Sequence, residues 1–225
     1  MGALSPQHPA MDALYSQWLL EKQDLLIHLL SVPQDRPDLQ IPLIIRMLSH
    51  CAEYYNLKSQ FAERYIFHIL SAYWLTPVER SFLWLGDVKP STIFQFVPSG
   101  LINDQRRMME QLKRQIVQRQ TELEEMMRQV EETMTVLMAL AAVHGPVRNG
   151  EARGDAERRV AEMMRAVLYE ADRLRKHVVI RIIQILSTGQ TVQFLVSATN
   201  FHLWLRRYGL QSLHLMAHAT VINFG

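Results

Sequence analysis

The chain has a single cysteine, Cys51, among its 225 residues. That excludes an internal disulfide framework and fits a reducing compartment. No run of about 18 apolar residues occurs, so no helix is expected to cross a membrane. The start, MGALSPQHPAMDALYSQ, lacks a basic segment followed by an apolar one, so no signal peptide is expected. Pro6 stands where a myristoylation site wants Ser or Thr. Charge of one sign is missing too: the formal net charge is +2, which gives no bulk nucleic-acid footprint. The chain has no glycine-rich phosphate loop, nucleophile elbow, HExxH or CxxC. No stretch alternates with period two between turns, and no repeat of about 20 to 50 residues recurs.

What is present is apolar content, 48%, enough for a substantial core. Its period is helical. Leu14, Trp18, Leu25 and Leu29 form a stripe on a first helix with Asp12 as its expected cap; Pro33 and Pro37 close it. A second helix opens at Leu43, with Tyr54, Leu57, Phe61, Tyr65 and His68 predicted on one face. Thr76, Pro77 and Glu79 read as a capping box with proline at the first helical position. Pro90 breaks the chain again. From about Ile102 to Val143 runs one long helix with a heptad-like seam of Met109, Leu112, Ile116, Leu123, Met126, Val130, Leu137 and Leu140. Arg119 and Thr133 interrupt it. HGPVRNGEARGD, residues 144–155, reads as a mobile linker. A helix from Asp155 to Leu186 follows and takes in the β-branched VVIRIIQIL. A last helix is expected from Gln190 to Tyr208, with Gly209 as its stop. The expectation is an all-α helical bundle with one long central helix. Residues 1–11 form a flexible N-terminus, 12–210 a single helical domain and 211–225 a C-terminal tail.

Catalytic candidates are few. Cys51 and His50 are neighbours on a helix, about 100° apart, so they do not face each other as a thiol–imidazole pair. Carboxylates sit beside bases, as Glu122 beside Arg119 and Glu170 beside Arg173, and read as solvated faces. Asp172 differs: it lies among apolar positions and is expected to pair with Arg80 or Arg175 and fix helix register. His214 and His218 share a face if helical, but two histidines do not close a zinc site. The basic groups DQRRMMEQLKRQ, ADRLRKH and LRRYG lack the aromatic interleaving that single-strand binding needs.

One stretch is more specific than the rest. Glu79, Arg80, Phe82, Trp84, Leu85, Gly86, Pro90 and Ser91 spell E-R-x-F-x-W-L-G-x-x-x-P-S, just after Trp74 and Pro77. With HCAEYYNLKS (His50 to Ser59), Asp172 and Arg175 in AD-LR, and Gln190 in ILSTGQTVQFL, it resembles the plant DELAY OF GERMINATION domain family, shared with the C-terminal half of TGA basic leucine-zipper factors. The resemblance covers roughly residues 12 to 210. It implies an all-α domain that binds partners rather than catalyses, so no enzyme is expected. These 225 residues hold no basic leucine zipper, which implies a stand-alone member with no direct DNA binding. The dormancy branch implies phosphatase partners in abscisic-acid signalling and haem on two histidines four apart. Here the matching positions are His202 and Arg206, and an arginine cannot be an axial ligand, so no cofactor is expected. His202, His214 and His218 are the disfavoured haem or metal candidates. Thr188, where the family has proline, and Gly86-Asp87, where it has a glycine pair, mark divergence. These departures favour the INAPERTURATE POLLEN branch, in pollen aperture formation. The partner would be a kinase, phosphatase or developmental protein, and the long helix could support a homo-oligomer. Localisation would be cytoplasmic or nuclear, with peripheral plasma-membrane attachment through a partner.

Overall fold

The structure is a computed structural model that describes residues 9–144 and 150–222, with side chains described over 11–140 and 154–215. Six α-helices carry the fold: α1 (Pro9–Ser31), α2 (Pro37–Ser71), α3 (Pro77–Arg80), α4 (Asn103–His144), α5 (Gly150–Ile185) and α6 (Thr188–Ile222). Between α3 and α4 lie two short strands, β1 (Leu83–Trp84) and β2 (Asp87–Val88), then a 3-10 helix (Pro90–Phe96). The all-α expectation holds, and the long helix is α4, whose 42 residues span about 63 Å. α4 and α5 pack along each other as the most extensive helix pair; α1, α2 and α6 close around them. One apolar cluster joins Leu29, Met47, Ile116, Val178, Ile182 and Phe194. A second joins Met11, Tyr15, Ile66, Trp74, Val130 and Leu168.

Local signals place the helix ends. Pro37 sits in the first turn of α2, where its missing N–H costs nothing. The helix closes on Ala72 in the left-handed region (φ 45°), whose N–H bonds the carbonyls of His68 and Ile69. The Thr76–Glu79 box forms as predicted: Glu79 N–H donates to Thr76 Oγ1, and Thr76 N–H donates to Glu79 Oε2 at 2.7 Å. A second such box starts α6. Ser187 N–H donates to Gln190 Oε1 at 2.9 Å, and Gln190 N–H donates to Ser187 Oγ. The cap therefore forms with Thr188 in place of proline.

Several boundaries and faces differ from the sequence reading. Asp12 lies inside the first turn of α1 rather than before it. α2 opens at Pro37, six residues ahead of Leu43, and takes in Pro42. α4 ends at His144 and α5 starts at Gly150, so residues 150–155 are helix; 145–149 of the expected linker lie outside the described residues. The buried face of α2 keeps Tyr54, but after it runs through Lys58, Ala62, Ile66 and Ile69, each one residue on from the predicted position. A lysine occupies that face, and its charge is met inside the fold. The α4 seam holds at Met109, Leu112, Ile116, Leu123 and Val130, all buried, but Gln120 is buried instead of Arg119, and Met126 and Leu140 are exposed. Gln120 belongs inside because its Oε1 accepts Ser91 N–H at 2.6 Å. Gly209 does not end α6, which runs on to Ile222 through most of the expected tail. Gly209 serves close approach: a Cβ there would lie 2.1 Å from Thr76 Oγ1. It lets α6 lie on the cap of α3.

Candidate functional site

The signature stretch folds around a tight hairpin. Leu85 and Gly86 both have positive φ (47° and 80°), the backbone of a two-residue turn whose twist matches paired strands. Leucine is strained there, and Gly86 suits its positive φ; a Cβ on it would lie 2.7 Å from Leu168 Cδ1 and force that side chain to shift. The turn is clamped from α5. The Arg175 guanidinium donates to the carbonyls of Val88 (2.7 Å), Leu85 (3.1 Å) and Trp84, and to Asp172 Oδ1 at 2.6 Å. Lys58 on α2 donates to the same Asp172 oxygen at 2.8 Å, and its nitrogen lies 3.6 Å from Asp87 Oδ2. Lys58 and Arg175 are fully buried. Burial pushes the Asp87 carboxyl up, but Lys58 and Arg175 outweigh it and hold it below the usual range. Asp172 thus pairs with Arg175, while Arg80 is exposed.

A second network joins α1, α3 and α6. Tyr15 and Lys22 on α1 are spaced to share a face, as are His202 and Arg206 on α6. Lys22 donates to His202 Nδ1 at 3.0 Å, His202 Nε2–H donates to the Tyr15 oxygen at 2.8 Å, and Tyr15 O–H donates to Glu79 Oε1 at 3.1 Å. This donor order fixes the histidine tautomer. Arg206 donates to Glu79 Oε2 and to the Trp74 carbonyl, both at 3.0 Å. Burial, then Lys22, pulls the His202 pKa down to about 3, so the ring is neutral. Burial and Glu79 raise the Tyr15 pKa, keeping the phenol protonated.

Between these networks lies a cavity of about 490 Å³, within the range of small-molecule sites. Tyr15, Lys22 and His202 form a polar edge, and Met47, Phe194 and Phe201 stand among its apolar walls. Cys51 also lines it as a free, half-buried thiol. His50 does not pair with Cys51; its Nε2 donates to the Trp18 carbonyl while Trp18 Nε1–H donates to the His50 carbonyl.

The residues present do not fit haem. Both ring nitrogens of His202 are engaged, and Arg206 is bound to Glu79. His214 is exposed, the His218 side chain lies outside the described residues, and no group of three metal-ligating residues occurs among the described ones. The basic groups lose Arg175 and Arg206 to internal bonds.

The signature residues divide by place. Trp74, Glu79 and Pro90 are buried, as is Gly86 at the turn; Pro77, Arg80 and Phe82 are exposed. Trp84 Nε1–H and Lys89 share Glu124 Oε1 on α4, at 2.8 and 2.9 Å. Gln190 ties α6 to Gln105 and to the Gly100 carbonyl. Lys58, Asp87 and Lys22 were missed as site residues. The available signals for Lys58 were its place four residues after Tyr54 and within the HCAEYYNLKS stretch.

Residues 23–99 match the family model described as DOG1, seed dormancy control. This chain carries a DOG1 domain. The match takes in Lys58 and the whole hairpin; the clamp residues Asp172 and Arg175 lie beyond it. The chain is 27% identical over 217 residues to the transcription factor TGA2 of Arabidopsis thaliana, covering 92% of this chain and 64% of that protein. It is 25% identical over 207 residues to the bZIP transcription factor TGA10 of Nicotiana tabacum, covering 88% and 41%. TGA6 of Arabidopsis thaliana is 35% identical over 94 residues, 41% of this chain. The chain thus spans roughly half the length of these relatives, which are regulatory proteins of the TGA kind.

Proposed function

We propose that this DOG1 protein is a non-enzymatic regulator that acts by binding other proteins, in a developmental pathway of the pollen-aperture kind. The observation that carries the reading is an aromatic row on the outer face of α6. Trp204 and Tyr208 stack at 5.4 Å, Phe201 lies 6.1 Å from Trp204, and Phe82 of the signature lies 6.1 Å from Phe201. Phe82, Trp204 and Tyr208 are about half exposed. Large aromatics left in water beside an arginine, here Arg207, are the composition of protein-binding hot spots. His50, bonded to the Trp18 carbonyl rather than paired with Cys51, supports binding over catalysis. The basic residues turned inward support the view that this region does not itself hold DNA. On this reading the protein is cytoplasmic or nuclear, and reaches the plasma membrane only through a partner.

The test is comparative affinity purification from developing anthers, with wild type and the Trp204→Ser/Tyr208→Ser double variant. The expected result is a specific partner retained by wild type and lost by the variant, with equal melting temperatures. An unchanged partner set would remove the aromatic row from the function. A protein phosphatase as the dominant partner would favour the dormancy reading over the pollen one.

A further inference from the structure

The outer face of α6 carries more than its aromatic row. Phe201, Trp204, Tyr208 and Leu215 recur at helical spacing, so they share one face over about 21 Å of helix. Leu215 is 72% exposed, so the apolar stripe continues uncovered past the aromatics. The charge around it has one sign. From Thr188 to Ile222, α6 holds no aspartate or glutamate. The α3 carboxylate Glu79 is buried and bound to Arg206, and Asp87 lies against Lys58. Arg80, two residues before Phe82, and Arg207, beside Tyr208, are exposed and carry no ion pair among the described residues. The stripe is therefore flanked by two free guanidinium groups and by no carboxylate of its own helix.

We propose that this face docks an acidic amphipathic helix of a different protein, laid along α6. The inference rests on the row being a binding surface and names what that surface takes. A straight stripe of helical spacing receives apolar side chains at i, i+4, i+7 and i+11 of a facing helix. Glutamates or aspartates beside those positions meet Arg80 and Arg207. Charge opposes self-pairing through this face: α6 of a second copy brings no carboxylate, so α6 against α6 sets arginine against arginine. An anionic membrane fits less well. Helices that lie on one carry many lysines and arginines beside a wide apolar face, and here a narrow row stands between two arginines.

The experiment is fluorescence anisotropy of the full chain with three synthetic peptides. Each is stapled as a helix, carries leucine at i, i+4, i+7 and i+11, and differs only in having Glu, Gln or Lys at the flanking positions. Wild type is expected to bind the Glu peptide about tenfold more tightly than the Lys peptide, with Gln between and the gap narrowing as salt is raised. Arg80→Gln/Arg207→Gln should bind the Glu and Gln peptides alike, at the affinity wild type shows for Gln. Trp204→Ser/Tyr208→Ser should weaken all three. Vesicles of phosphatidylserine in phosphatidylcholine should not retain the wild type. No binding of the Glu peptide, or a Glu preference that survives either double variant, overturns the proposal. Retention on the vesicles that is lost in Trp204→Ser/Tyr208→Ser also overturns it and gives the face to a membrane. Peptides bound without regard to charge, but only when Trp204 and Tyr208 are present, overturn the acidic partner and leave the row as a binding surface.

Discussion

Arg175 shows how much of this fold rests on single polar side chains. It neutralises Asp172 and satisfies three carbonyls of a turn that holds leucine at positive φ. Arg175→Met would keep most of the volume but leave those acceptors unpaired and Asp172 with Lys58 alone. Breaking a buried pair from one side typically costs about 3–5 kcal/mol, and urea unfolding should show a loss of that order. His202 gives a second test at this scale. Its ordinary pKa of 6.5 falls to about 3 in the fold, so the unfolded chain takes up the proton first. The stability this neutral ring contributes is fully present above pH 6.5 and is lost as pH falls toward about 3. Melting temperature should decline from pH 6.5 to about 5, above the range where ordinary carboxylates titrate. His202→Gln should flatten that decline, whatever its effect on absolute stability.

At the level of elements, two helical glycines make opposite predictions. Gly154 in α5 has nothing within 4 Å of the point where a Cβ would stand, so Gly154→Ala should stabilise by about 0.8–1.0 kcal/mol through helix propensity alone. Gly209 in α6 meets Thr76 at 2.1 Å, so Gly209→Ala should destabilise, by parting α6 from the α3 cap. Thermal melts of the two variants, side by side, check both signs. The same contrast explains what the sequence could and could not reveal. Helix existence was legible, because 3–4 spacing persists over dozens of residues, and so was the cap at Thr76, because its chemistry is local. Faces were legible only to within one residue. Lys58 and Gln120 are polar residues on buried faces, satisfied by Asp172 and by Ser91 N–H, partners distant in sequence. Gly209 looked like a stop because the residue that needs its missing side chain, Thr76, is far away along the chain. The β1–β2 turn was hidden for a related reason: leucine at positive φ is held by a guanidinium from α5.

For the whole molecule, the two polar networks have a common architectural effect. One pins the signature hairpin to α2 and α5; the other pins α6 to α1 and α3. Together they fix Phe82 and the α6 aromatics into one outward row, with the cavity behind. Arg206 belongs to the second network. It anchors α6 to α3 through Glu79. The most direct measurement is hydrogen exchange by mass spectrometry on the protein alone and in complex with its purified partner. The account predicts that slowing on binding concentrates at residues 201–208 and around Phe82. Slowing elsewhere, with those residues unchanged, would contradict it.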